Sequence, residues 1–195
     1  FGNAYSAWFG RSNGLPVKKI LCSTNVNDVL RRFIETGELA PEKTLPSVAP
    51  SMDIQIPSSL ERLIFDFTDG ASAFYDALLK ENKAKLSEDH ITQLNHIFSS
   101  TTFLDDDIKS EIKSLYEKFG SIFDPHSVTS IRMALDNQDS VPTVAVATAS
   151  PEKFSNVIAP LIETSSEVEI DDKEEYLKLE NDNFAISESI KAYFS

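Results

Sequence analysis

Three observations predict an α/β protein with a parallel sheet flanked by helices. Short apolar runs at Ile20-Leu21-Cys22 and Val144-Ala145-Val146-Ala147 carry no polar alternation, as buried parallel strands do. The segments around them repeat apolar residues at helical spacing. Helix and strand signals alternate through the first fifty residues, which is the order an α/β layer requires. The 195 residues are expected to form one such unit over 1–195, with a helical insertion over 68–120 and an acidic linker and terminal helix over 163–195.

Taken in order, Tyr5, Trp8 and Phe9 make an apolar face that predicts a helix over 4–13, stopped by Gly14 and Pro16. Lys18 to Cys22 follows as the first strand. Asn25 to Asp28 offers helix caps, and Val29, Leu30, Phe33 and Ile34 predict a helix over 27–36 that ends at Gly37. Prolines at 41, 46 and 50 mark a loop. Met52 to Ile56 alternates with period two and reads as a short strand. Leu60, Leu63, Ile64 and Phe67 predict a helix over 59–67 behind Ser58 or Ser59. Phe74, Tyr75 and Leu78 resume the helical period after Gly70. Ile91, Leu94 and Phe98 predict a helix over 88–99, and Ile108, Ile112, Leu115, Tyr116 and Phe119 another over 107–119.

Asp124-Pro125-His126-Ser127 opens a helix expected over 127–137, containing Val128, Ile131, Ala134 and Leu135. The second parallel strand is placed at 143–147. Ser150 as cap and Pro151 at the first helical position begin a helix over 151–162. A last helix is expected near Ser187 to Phe194.

Composition narrows the function. Eighteen basic residues against 31 acidic ones give a formal charge of −13. That balance argues against binding a phosphate backbone or an anionic membrane surface, and fits a solvated acidic exterior. One cysteine, Cys22, allows no internal disulfide and suits a reducing compartment, so a cytoplasmic location is expected. No apolar run approaches the ~18 residues of a membrane span. The chain opens on Phe1-Gly2-Asn3, with neither an initiator Met nor a leader-like segment, and reads as a fragment or an internal start. The three histidines and Cys22 show no metal-ligand spacing.

Two places could carry chemistry. Gly2 and Asn3 precede a helix whose first N–H groups favour an anion, although a plain helix cap has the same appearance. Thr148 follows the strand at 143–147, and open α/β sheets bind ligands outside the carboxyl ends of their strands.

Five blocks in order resemble the threonine synthase family of fold type II pyridoxal-phosphate enzymes. Phe1-Gly2-Asn3 is similar to the end of the family's Ser-Gly-Asn-Phe-Gly-Asn loop. Gly14-Leu15-Pro16 with Ser23-Thr24-Asn25-Val26-Asn27-Asp28 and Arg32-Phe33 resembles a second block. Ser51-Met52-Asp53-Ile54, with Glu61-Arg62-Leu63 behind it, resembles the Ala-Met-Asp-Ile block. Asp124-Pro125-His126-Ser127 resembles Asp-Pro-His-Thr, and Ala147-Thr148-Ala149-Ser150-Pro151-Glu152-Lys153-Phe154 resembles Thr-Ala-His-Pro-Ala-Lys-Phe.

The resemblance implies the C-terminal part of an enzyme that converts O-phospho-L-homoserine and water to L-threonine and phosphate with pyridoxal 5'-phosphate. It implies that Phe1, Gly2 and Asn3 hold the cofactor phosphate and that Thr148 meets the pyridine nitrogen. The Schiff-base lysine would lie upstream, in the N-terminal half of the same enzyme, so no catalytic residue is assigned to this chain and the chain alone is expected to be inactive. Lys153 reads as a surface lysine. His126 reads either as facing the cofactor or as a satisfied histidine at a helix start. Ser150 stands where the family has histidine, which keeps open a non-catalytic binding protein of the same family. A third possibility is an unrelated soluble domain whose acidic face binds a basic partner.

Overall fold

The computed structural model describes residues 1–68 and 70–162. The expected linker and terminal helix at 163–195 lie outside the described residues. Among the described residues eight α-helices and four strands follow one another: α1 Gly2–Ser12, β1 Ile20–Thr24, α2 Val29–Thr36, β2 Glu38–Leu39, α3 Leu60–Thr68, α4 Ser72–Glu81, β3 Ala84–Lys85, α5 Glu88–Ile97, β4 Phe98–Thr102, α6 Asp105–Phe119, α7 Pro125–Asp136 and α8 Ser155–Ile158. Two 3-10 turns, Pro50–Met52 and Pro151–Phe154, complete the description.

The sheet is the two-stranded parallel pair β1 and β4, in register from Ile20 opposite Phe98 to Thr24 opposite Thr102. β2 and β3 form a small antiparallel pair beside it, Glu38 opposite Lys85 and Leu39 opposite Ala84. Along β1 the side chains of Ile20, Cys22 and Thr24 are buried and those of Leu21 and Ser23 are partly covered, so both faces carry helices. That is the pattern an unalternating apolar run predicts.

α2 buries Val29, Phe33 and Ile34. Their spacing puts them on one stripe of the helix, against the sheet. Leu60, Leu63 and Ile64 of α3, Phe74 and Leu78 of α4 and Leu94 of α5 close this first core, with Phe98 at its centre. A second core joins Ile108, Ile112 and Leu115 of α6 to Val128 of α7 and Ile158 of α8, with Ala49 buried among them.

Four expectations need correction. The stretch 68–120 is not all helical: it holds β4, the partner of β1, so it belongs to the α/β body. The polar composition Ser99-Ser100-Thr101-Thr102 conceals the strand, and two of its hydroxyls, those of Ser100 and Thr102, are satisfied laterally. Ser100 Oγ donates to the Cys22 carbonyl at 2.6 Å, and Thr24 and Thr102 share a hydroxyl bond of 2.9 Å. Phe98, assigned by spacing to the helix, is extended and starts the strand.

Residues 52–56 form no strand. Pro50–Met52 turns as a 3-10 helix, and Asp53 then points inward to a polar network while Ile54 and Ile56 are exposed. Residues 143–147 carry no regular secondary structure and lie in no sheet among the described residues, and Val144 is 85% exposed. Among the described residues no strand pairs with them, and without a neighbour an apolar run makes no ladder. The helix expected over 151–162 is a 3-10 turn followed by the four residues of α8, and Ser150 makes no side-chain cap bond.

Candidate functional site

Gly2 and Asn3 lie inside the first turn of α1, two residues earlier than the apolar periodicity suggested, and Phe1 is its N-cap. No side chain caps this end and no acidic residue stands in the first turn. Its N–H groups therefore keep the partial positive character of a helix start. The Phe1 ring packs against Phe98, centroids 6.0 Å apart, which anchors the helix start to the sheet. Gly2 sits close to α3: a β-carbon there would lie 3.7 Å from Ser59 Oγ. Asn3 is exposed, and its side chain has no hydrogen-bond partner among the described residues.

Thr148 is also exposed. Its N–H donates to Ser127 Oγ at 3.0 Å, while its hydroxyl has no partner among the described residues. The structure thus brings Thr148 to the start of α7. No hydrogen bond links it to Phe1, Gly2 or Asn3 among the described residues.

The start of α7 is a dense polar cluster. Asp124 is the N-cap, its carboxylate accepting the N–H groups of His126 and Ser127. Oδ1 also meets His126 Nδ1 at 2.7 Å, and Oδ2 accepts the Ser127 hydroxyl. His126 Nε2 accepts the Ser51 N–H at 3.1 Å, which places the ring proton on Nδ1, facing Asp124. The Phe154 ring stands edge-on to His126 at 4.7 Å. With both nitrogens engaged inside the protein, His126 is the satisfied histidine of a helix start. Burial would push the Asp124 carboxyl up, but the hydrogen bonds from His126 and Ser127 outweigh it and hold the group below the ordinary aspartate value.

A second buried network was not anticipated. Asp53 Oδ1 accepts from Asn25 Nδ2 at 2.6 Å, Asn27 Nδ2 at 3.0 Å and Ser47 Oγ at 2.7 Å. Asn27 Oδ1 in turn accepts the Leu45 N–H at 2.8 Å. These bonds clamp the loop 45–53 onto the carboxyl end of β1, next to Ser51 and so to His126. The residues of this network, Asn25, Asn27 and Asp53, fall in two of the blocks that carry the resemblance, but nothing in the sequence pairs them with one another.

Lys153 is exposed. The Cys22 thiol is buried and pushed up to about 12 by desolvation, so it is not a nucleophile at neutral pH. Among the described residues no cluster of His, Cys, Asp or Glu could hold a metal ion, and no helix is long and apolar enough to cross a membrane.

No family model matches the chain. It is 31% identical over 164 residues to the threonine synthase of Pseudomonas aeruginosa, a match that covers 81% of this chain and 35% of that protein. In fold it is similar to a crystal structure of pyridoxal-phosphate-bound threonine synthase from Brucella melitensis, with a TM-score of 0.80 and 28% identity over 87% of this chain and 38% of that one. It is also similar to the threonine synthase from yeast, with a TM-score of 0.76 and 26% identity, covering 83% of this chain and 36% of the other. The chain spans little more than a third of the length of these proteins.

Proposed function

In sequence and in fold this chain matches a portion of threonine synthase, and from that premise we propose that it forms the C-terminal part of a pyridoxal-phosphate enzyme converting O-phospho-L-homoserine and water to L-threonine and phosphate. The observation that supports this most is the state of Thr148, an exposed hydroxyl with no partner among the described residues, on a backbone fastened to α7.

The residues present fit the cofactor at two points. The uncapped first turn of α1 offers N–H groups, and Asn3 an exposed amide, to a phosphate. Thr148 Oγ1 can hydrogen-bond a pyridine nitrogen without obliging it to take a proton, as a carboxylate would. When bound, the cofactor supplies the electron sink for the substrate's carbon skeleton, and a neutral partner at its ring moderates that sink. Phe1 holds the helix start against the sheet, and Asp124, His126 and Ser127 hold the Thr148 backbone.

The lysine that bonds the cofactor is a contribution of the N-terminal half, the partner this portion requires. Lys153, at the exposed 3-10 turn Pro151–Phe154, has no such role. A buried single cysteine fits a cytoplasmic enzyme.

Two measurements test the proposal. The chain alone, mixed with pyridoxal phosphate and O-phosphohomoserine, should release no phosphate above the background of free cofactor, because the covalent anchor is missing. Release that saturates with substrate and is lost in Lys153→Ala overturns this. In the intact protein Thr148→Val should keep the cofactor but lose most of its turnover, whereas Asn3→Ala should weaken cofactor retention on dialysis more than the saturated rate. A second reading, a non-catalytic relative that binds the cofactor, is favoured by Ser150 in place of the family histidine. Yellow intact protein that releases no phosphate would select it.

A further inference from the structure

Thr148 follows the apolar stretch 143–147, which lies in no sheet among the described residues, and its backbone is tied to the start of α7. The Thr148 N–H donates to Ser127 Oγ at 3.0 Å, and Ser130 Oγ, whose proton goes to the Ser127 carbonyl at 2.8 Å, also lies 3.2 Å from the Val146 carbonyl. Ser127 is only 1% exposed, and its proton is committed to Asp124 Oδ2. A hydroxyl has one proton to donate. With that proton held by a carboxylate, the Ser127 oxygen can face the Thr148 N–H only as an acceptor.

Asp124 is fixed in turn from its other side. The Ser51 N–H donates to His126 Nε2, and His126 Nδ1–H donates to Asp124 Oδ1. Every donor in the relay is thus directed toward one carboxylate, and the relay ends at the backbone of Thr148. A β-branched side chain has few χ1 choices, so a fixed threonine backbone leaves its hydroxyl little freedom.

We infer that Ser127, oriented by Asp124, is the positioning residue that sets where the Thr148 hydroxyl points. The inference rests on the reading above, in which that hydroxyl meets the cofactor's ring nitrogen. Ser127 touches neither cofactor nor substrate and acts through Thr148.

The test uses the intact protein loaded with pyridoxal phosphate carrying 15N in its ring. It follows hydrogen exchange at the Thr148 amide and the ring 15N chemical shift. Ser127→Ala should speed exchange at Thr148 by about tenfold, the loss of one hydrogen bond. It should also move the ring signal in the direction that Thr148→Val moves it. Ser127→Thr, which restores the hydroxyl, should return both readouts to those of the unsubstituted protein. If Ser127→Ala does not fold, Ser127→Cys, of similar size but a weaker acceptor, takes its place.

Unchanged exchange at Thr148 in Ser127→Ala overturns the inference at the latch itself. Faster exchange with an unmoved ring signal, where Thr148→Val does move it, overturns the positioning role while the assignment of Thr148 stands. A ring signal that Thr148→Val leaves in place overturns the assignment of Thr148, and the role of Ser127 falls with that premise.

Discussion

At the residue scale, Asp124 accepts from the His126 ring, the Ser127 hydroxyl and the N–H groups of both residues. Its carboxyl is held below the usual aspartate value because those donors favour the charged form more than burial disfavours it. A folded-state value below the unfolded one means that Asp124 binds its proton more readily in the unfolded chain. Its stabilising contribution is therefore complete above the unfolded value of about 3.9 and is lost as pH falls through the lower folded value. Asp124→Asn should lower stability by about 1–3 kcal/mol at neutral pH, since one donor is left without a carboxylate. It should also flatten the acid limb, as urea midpoints measured between pH 7 and 3 would show. An acid limb unchanged in Asp124→Asn would remove this carboxylate from the account.

The candidate site is legible in part. Thr148 is singled out by its place after an apolar run, and Gly2 and Asn3 by their place at a helix start, where the structure has them in the first turn of α1. The linkage of Thr148 to Ser127 is not legible, because the two are 21 positions apart and the bond joins a side chain to a backbone amide. Neither His126 nor Ser127 alone carries a pattern that distinguishes an internal hydrogen bond from a contact with a ligand.

At the scale of elements, the end of α2 shows how a single position is constrained twice. Gly37 takes the left-handed conformation, φ 71°, and its N–H returns to the Phe33 carbonyl. A β-carbon there would also stand 2.3 Å from Ile91 Cγ1, a side chain of α5 that belongs to the first core. The Gly37 carbonyl accepts the Leu86 N–H at 3.0 Å, so the turn cannot swing away from α5 without losing that bond. Gly37→Ala should cost about 1–2 kcal/mol for backbone handedness, and overpacking should add about 1–3 kcal/mol. Denaturation of Gly37→Ala beside Gly14→Ala separates the two terms. Gly14 has φ 95° but open space around it, so it should show the first cost without the second.

The helices were readable wherever one face is apolar and the other wet, as in α2, α5 and α6. The strands were readable only where the run is apolar, as in β1. β4 was missed because four of its five residues carry hydroxyls that bond sideways or face solvent, a pattern that period-two hydropathy does not register. The stretch 143–147 has the composition of a buried strand, but composition does not supply the neighbouring strand that pairing requires.

For the whole molecule, charge is the first consideration. A formal charge of −13 in 195 residues repels itself in the folded state, where the charges are closest. Raising ionic strength from about 0.01 to 0.15 M shortens the screening length from about 30 to about 8 Å. Stability should therefore rise over that range, seen as a higher urea midpoint with an unchanged slope. A midpoint that falls would show that the surface ion pairs, such as Lys18–Asp139 at 2.7 Å, outweigh the general repulsion.

The parallel pairing of β1 with β4 has a second consequence, in time rather than in energy. Cys22 and Ser100, hydrogen-bonded neighbours in the sheet, are separated by 78 positions in the chain. Among the described residues neither strand has another partner in its sheet, so the pair forms only after α2, α3, α4 and α5 have been gathered into the intervening loop. Closing such a loop costs entropy before any strand contact repays it, and chains dominated by distant pairings fold slowly for that reason. The helices, whose bonds are local, form well ahead of the sheet. The slow step in folding is then the arrival of Phe98 opposite Ile20, and a substitution at either residue should be felt in the folding rate before it is felt elsewhere.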